Sequence, residues 1–355
     1  MNRIIRSSVA LLLFATVVSV AAQIGTVVND EMHSESLDGN LVGDSPKRSI
    51  LVYLPPGYER KKKVRYPVVY LLHGFNGFGV GNRNWTREGG NFNVQTISRL
   101  MTETKISPMI VVMPDGSNRY GGSFYTNSIA TGNWEDYIVR DLVAFIDKNY
   151  RTLSKAESRG IAGHSMGGYG ALKIAMKHPD VFGAVYGTSS CCLSYLPAAV
   201  SSQSLTAAMK LSSFEEADKA SFPVRVSFAL AAAWSSNSAK PPFFSEYPFS
   251  EDAGELTASA AARWQANIPT FMADQYAPNL RRLRGIGFDA GTQEPGIQNA
   301  NRQFAEALMR NRTEHNFEVF EGGHTDKVRE RIETKMLPFF SRTLVSQKPA
   351  DNSKR

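Results

Sequence analysis

Short, unbroken apolar runs alternate along most of the chain with longer segments whose apolar positions recur every three or four residues. The runs predict strands at Ser49–Leu54, Tyr66–Leu72, Pro108–Met113, Arg159–Gly163, Val181–Tyr186, Leu283–Phe288 and Phe317–Phe320. Pro55-Pro56-Gly57 stops the first and Pro114-Asp115-Gly116 closes the third. Between them, Trp134–Lys148 reads as a helix with Ile138, Leu142, Phe145 and Ile146 on one face. Met166–Lys177 and Ile297–Arg310 read as helices too, the latter with Ile297, Phe304 and Leu308 on one face, and Asp326–Leu344 as a last helix interrupted by Pro338. Strands that are apolar at nearly every position are buried on both faces, so the alternation predicts an α/β fold: a mostly parallel sheet with helices on both sides. The rhythm is lost between Ser189 and about Asn279, where Pro241-Pro242-Phe243-Phe244 and Tyr247-Pro248-Phe249 crowd together, and resumes at Leu283. Residues 189–279 therefore read as an insertion within one domain spanning 49–345. Residues 23–48 form a polar lead-in strand or tail, and 346–355 a polar tail.

The N-terminus changes the picture of where the chain is expected to act. Arg3 and Arg6, the apolar run Val9–Val20 and the small residues Ala21 and Ala22 have the layout of a signal peptide over 1–22, too short for a comfortable membrane span. The expected location is thus secreted or periplasmic, with no stable membrane span after processing. Removal of Arg3 and Arg6 lowers the formal net charge from +7 to +5, and no predicted face gathers it, so nucleic acid is not an expected partner. The dense basic run Arg60–Lys63 with Arg65 lies in a turn between two strands, where a solvated loop explains it. The two cysteines, Cys191 and Cys192, are neighbours. Their Cα atoms stand ~3.8 Å apart, below the span a disulfide usually bridges, so a bridge between them is strained and the fold must rest on an ordinary hydrophobic core.

Candidate chemistry centres on Gly163-His164-Ser165-Met166-Gly167, between a predicted strand and a predicted helix. A serine on so sharp a turn needs glycine two residues before and two after, because a side chain at either place would strike neighbouring backbone. Gly168 and Gly170 then keep the first helical turn slim. Such a serine needs a base, and six histidines are available. His33 lies in the lead-in, His178 ends a helix and His315 precedes a strand. His164 is expected to point away from the elbow, and His73 belongs to the glycine loop after the second strand. His324, in the loop Glu321-Gly322-Gly323-His324 after the last strand, stands at the sheet edge where a base must be. The carboxylate that orients it should lie between serine and histidine along the chain. Asp289 and Glu294 both follow the strand Leu283–Phe288; Asp289 is close enough to its end to serve the turn, which slightly favours Glu294. The backbone N–H groups of Met166 and Phe75 are the expected oxyanion donors. No metal-ligand spacing, dinucleotide fingerprint or P-loop is present, so no metal or other cofactor is expected.

Val52-Tyr53-Leu54-Pro55-Pro56-Gly57-Tyr58, Tyr70-Leu71-Leu72-His73-Gly74, Gly163-His164-Ser165-Met166-Gly167-Gly168 and Gly322-Gly323-His324 together resemble the esterase D-like family called "Putative esterase". That family includes feruloyl and acetylxylan esterases, S-formylglutathione hydrolases and mycolyltransferases. The resemblance covers roughly Ile50–Leu344 and implies an α/β-hydrolase core without a cofactor. Gly291-Thr292-Gln293-Glu294 matches the Gly-Thr-x pattern that precedes the acid in the feruloyl branch, with glutamate where aspartate is commoner. The expected activity is that of a secreted serine esterase working through an acyl-enzyme on a small-molecule or polysaccharide-linked ester. Acyl transfer of the mycolyltransferase type, and a non-catalytic sugar- or lipid-binding protein on a hydrolase scaffold, are the alternatives. Within the insertion, Trp234, Phe243 and Phe244 are the leading candidates for a substrate wall, with the loops around Trp85 and Tyr125 next.

Overall fold

The seven apolar runs and the polar lead-in form eight strands of a single sheet: β1 (Thr26–His33), β2 (Lys47–Leu54), β3 (Val68–Leu72), β4 (Ile110–Pro114), β5 (Arg159–His164), β6 (Ala184–Thr188), β7 (Gly285–Gly291) and β8 (Asn316–Phe320). These are taken from a computed structural model that describes residues 23–75, 82–194, 200–249 and 257–347. The predicted signal segment 1–22 and the chain from 348 onward lie outside the described residues. Spatial order is β1-β2-β4-β3-β5-β6-β7-β8. The pairs β1/β2 and β2/β4 are antiparallel and every other pair is parallel.

Successive residues of a strand face opposite sides, and both sides here are covered. Val68, Tyr70 and Leu72 pack on one side with Ile138, Leu142, Ile174, Phe304 and Leu308. Val69 and Leu71 pack on the other with Ile97, Met101, Ile332, Met336 and Phe340. The helix Met166–Lys177 and the helix Pro295–Arg310 thus lie on the first side, and Val94–Thr102 with the C-terminal helical run on the second.

One expectation about the elements is resolved between its alternatives and two others change. The lead-in is an eight-residue strand paired along its whole length with β2; its burial alternates only weakly because it is an edge strand with one polar neighbourhood. β6 starts at Ala184 rather than Val181, since Val181 and Phe182 donate their N–H groups back to His178 in a turn. Pro338 does not interrupt the last helix. A π-helical turn, Ile332–Met336, immediately precedes Leu337–Thr343 and re-registers the backbone ahead of the residue that lacks an N–H.

The described part of the insertion is helical, including Ser202–Met209, Phe214–Lys219, Phe222–Trp234 and Ala258–Gln265. It is pinned to the helix Met166–Lys177. Tyr169 Oη donates to the Asn267 carbonyl at 2.9 Å, and the buried Lys173 ammonium donates to Asn267 Oδ1 at 2.8 Å and Thr126 Oγ1 at 2.7 Å.

Candidate active site

β5 delivers Ser165 onto a turn with φ 57° and ψ −118°, a region that non-glycine residues occupy at a cost of order 1–3 kcal/mol. The flanking glycines are required by contact. A Cβ at Gly163 would stand 2.3 Å from the Gly167 carbonyl carbon, and one at Gly167 would stand 2.1 Å from the Leu72 carbonyl oxygen. The serine amide donates to the Thr188 carbonyl of β6 at 3.1 Å, which ties the turn to the neighbouring strand.

The loop after β8 brings His324 over this turn, with Nε2 2.9 Å from Ser165 Oγ. On the other side of the ring, Nδ1 lies 2.6 Å from Glu294 Oε2. A carboxylate only accepts, so Nδ1 carries the proton and Nε2 is left to accept from the serine hydroxyl. Glu294 occupies the N-cap position of the helix Pro295–Arg310 without a capping side-chain bond, and its Oε1 accepts instead from the Gly291 N–H at 2.7 Å and from the Ser189 hydroxyl. Burial pushes this carboxyl's pKa up, but the donors His324, Ser189 and Gly291 outweigh it and hold the group below the ordinary glutamate value.

Asp289 is not beside the histidine. β7 runs three residues past Phe288, so Asp289 sits inside the strand, fully buried, and reaches the C-terminal helical run. It accepts from Arg331 Nη2 at 2.8 Å and Nε at 3.0 Å, from Tyr186 Oη at 2.7 Å, and from the Thr188 hydroxyl. Asp289→Asn is expected to lower unfolding stability by about 3 kcal/mol, because it leaves a buried guanidinium short of its charge partner. Urea denaturation checks this, with ester turnover of the folded variant expected to stay within a few-fold of the parent.

His164 also departs from expectation. Rather than pointing away, it lies under His324, with ring centroids 4.7 Å apart, and its Nε2–H donates to the His324 carbonyl at 2.7 Å. Burial, and next the neighbouring His324, push its pKa down to about 4, so it is a neutral donor near neutral pH. Nothing in the sequence distinguishes this role, since the contact joins residues 164 and 324.

Phe75 and Met166 flank the serine. Gly74 lies so close that a Cβ there would be 3.3 Å from Ser165 Cβ, which puts the Phe75 loop against the nucleophile. Met166 opens the helix, where the first N–H groups have no helical acceptor. The side chains of the two residues meet at Gly122, where a Cβ would be 2.5 Å from Met166 Sδ and 2.7 Å from Phe75 Cδ2. His73 does not reach the serine among these contacts: Nδ1 faces the Gly74 carbonyl and Nε2 accepts from the Gly116 N–H at 2.8 Å, which braces the loop.

The predicted aromatic wall is placed differently. Trp234 is 3% exposed and packs in a cluster with Phe124, Tyr169 and Trp264, a second layer rather than a pocket surface. Phe243 packs edge-on against Phe214 and Phe228. Phe244 is half-buried in a turn with φ 49°. Trp85 and Tyr125 are both buried. The insertion instead reaches the Phe75 loop after β3 through Phe222, more than half exposed, whose ring centroid is 5.9 Å from that of Phe75, and through Arg225, whose guanidinium carbon lies 5.9 Å from the Phe75 centroid. Arg225 Nε is buried without a hydrogen-bond partner. Sequence reasoning missed both, because Phe222–Trp234 is apolar on nearly every face and shows no periodicity to say which end meets the site.

Among the described residues no three His, Cys, Asp or Glu side chains group as a metal site requires, and no helix is long and apolar enough to cross a membrane.

A mostly parallel sheet in this order, with a serine on the turn after β5 and a histidine after β8, defines an α/β-hydrolase fold. Two solved structures share it: a ferulic acid esterase, 23% identical with a TM-score of 0.61 over 91% of this chain and 100% of that one, and an S-formylglutathione hydrolase from Staphylococcus aureus, 17% identical with a TM-score of 0.56 over 89% and 99%. The chain belongs to the "Putative esterase" family, whose model matches residues 45–331. Among curated relatives, an esterase of Mycobacterium tuberculosis is 33% identical over 144 residues, 39% of this chain and 27% of the relative. An endo-1,4-beta-xylanase/feruloyl esterase of Xylanibacter ruminicola is 33% identical over 135 residues, 37% of this chain and 18% of the relative. The matches therefore span under a third of the length of either relative.

Proposed function

We propose that this chain is an exported serine esterase that hydrolyses carboxylic esters, with aryl-acyl esters of the feruloyl type on carbohydrate as its preferred class. The observation that carries the reading is the relay Ser165–His324–Glu294, in which each hydrogen bond is within reach of proton transfer. Ser165 Oγ attacks the ester carbonyl while His324 Nε2 takes its proton. The tetrahedral oxyanion accepts from the N–H groups of Phe75 and Met166, a type of contact worth about 3 kcal/mol per donor. His324 then gives the proton to the leaving alcohol, and water repeats the sequence in reverse to release the acid. Glu294 keeps the proton on Nδ1 and steadies the imidazolium.

Family membership supports ester chemistry, and the feruloyl preference draws on the named activity of the Xylanibacter relative and on the ferulic acid esterase fold neighbour. Phe75 and Phe222 offer aromatic faces beside the serine, suited to a phenolic ring. Export rests on the N-terminal pattern of Arg3, Arg6 and Val9–Val20.

A panel of feruloyl, acetyl-sugar, short aliphatic and thioester substrates tests the reading on the purified chain. Turnover of no ester would overturn it, and thioesters as the best class would replace the substrate assignment. Phe222→Ala is expected to lower kcat/KM for feruloyl esters about tenfold relative to acetyl esters, by the size of one lost aromatic contact. The melting temperature should barely move, since the ring is largely exposed. Equal loss on both substrates would assign the aryl pocket elsewhere.

A further inference from the structure

Beyond the triad, the segment that follows β6 and runs past Ser165 carries the chain's two thiols, and their geometry is unusual on two independent counts. Neighbouring residues of an extended chain point to opposite sides. Cys191 and Cys192 do not: Cys192 turns through a left-handed φ of 61°, and the two Sγ atoms lie 2.7 Å apart. That separation is far inside the contact distance of two thiols and only about 0.7 Å beyond a covalent sulfur–sulfur bond. A residue with a β-carbon held at positive φ is a local cost that the surroundings must enforce. They do so here. The Cys191 N–H donates to the Ser165 carbonyl at 3.2 Å, and Asn301 Nδ2 donates to the Ser190 carbonyl at 2.9 Å, so the backbone leading into the pair is fixed by the elbow and by the helix Pro295–Arg310.

We propose that Cys191 and Cys192 are a reversible redox pair that closes into a vicinal disulfide ring beside the nucleophile. Neither cysteine is bridged in this structure, and no other cysteine exists in the chain to compete. Cys191 is partly exposed, whereas Cys192 is buried and its thiol is pushed well up by burial, so Cys191 reacts first. Its thiolate attacks one sulfur of a small-molecule disulfide such as oxidised glutathione, forming a mixed disulfide and expelling one glutathione thiolate. The Cys192 thiolate then attacks the Cys191 sulfur and expels the second. Two protein thiols lose two protons and two electrons, and one glutathione disulfide becomes two glutathione thiols. Adjacent Cα atoms sit below the usual span of a disulfide, and bonds under such constraint belong to the labile, reducible class, so a dithiol reopens the ring. The ring fixes the χ angles of Cys191 and leaves a rigid apolar edge where two rotatable thiols stood.

The test uses the reduced wild-type chain, freed of reductant, exposed to excess oxidised glutathione at mildly alkaline pH, quenched in acid denaturant, treated with N-ethylmaleimide and weighed intact. The expected product is a single chain lighter by two hydrogens, carrying neither maleimide nor glutathione, which regains two alkylatable thiols after dithiothreitol. A peptide map should place the bridge within the one peptide holding both residues. Two maleimides, two glutathione adducts, or a disulfide between two chains would each overturn the proposal. In Cys192→Ser, a stable single glutathione adduct on Cys191 is expected because the resolving thiol is gone. Absence of that adduct would overturn the order of attack. None of these readouts depends on ester turnover, so the pair and the esterase reading stand or fall separately.

Discussion

Replacement of Ser165 by alanine is expected to lower ester turnover by about a million-fold, the scale seen when a triad serine is removed. The reason is local. His324 Nε2 would lose the hydroxyl it faces at 2.9 Å, and no other described side chain hydrogen-bonds that nitrogen. Alanine removes one oxygen and little volume, and it enters the same positive-φ backbone that serine already tolerates at φ 57°. The melting temperature should therefore stay within a few degrees of the parent. Steady-state hydrolysis of an activated aryl ester, with thermal unfolding in parallel, checks both halves. A fluorophosphonate should label the wild-type chain at Ser165 and leave Ser165→Ala unlabelled. Near-normal turnover by the alanine variant would sink the proposed mechanism outright.

Glu294→Gln is expected to cost about 10⁴ in the acyl-transfer rate, as in triads whose carboxylate becomes an amide and selects the wrong imidazole tautomer. The substitution is nearly isosteric. The new amide could still accept from the Gly291 N–H through its carbonyl oxygen, but its nitrogen would then face His324 Nδ1 as a donor, leaving Nε2 protonated and unable to take the serine proton. Single-turnover kinetics with an activated ester would read the loss directly. A larger loss from Asp289→Asn than from Glu294→Gln would return the acid role to Asp289.

What could be read from the chain beforehand divides along physical lines. The sheet was legible because β3 and β4 are covered on both faces, and strands in that position read as nearly continuous apolar runs. The serine turn was legible because Gly163 and Gly167 meet backbone atoms at distances no side chain survives, so steric necessity is written directly as glycine. The choice of Glu294 over Asp289 was legible only as a slight preference, and on a reason the structure replaces. Asp289 ends an apolar run and looks like a turn residue, but its charge is taken up by Arg331, and a pair forty-two residues apart leaves no local trace. The aromatic wall failed for a related reason. Trp234 and Phe222 end the same nearly all-apolar helix, and which end is core depends on Phe124 and Tyr169, contributed by other elements. For the lead-in, strand and tail both stayed open, because an edge strand such as β1 is free to carry polar outer residues.

The bond from His164 to the His324 carbonyl has a mechanical consequence. The residue preceding the nucleophile holds the backbone of the residue bearing the base, so the serine-to-imidazole spacing is gauged by one peptide unit and one hydrogen bond, not by two loops that settle independently. A displacement of the β8 loop is therefore expected to pull on β5 through this hydrogen bond. Grafting a different β8 loop onto this scaffold would disturb the gauge unless the graft presents a carbonyl to the same imidazole, which makes positions 164 and 324 a single unit of design despite their 160-residue separation.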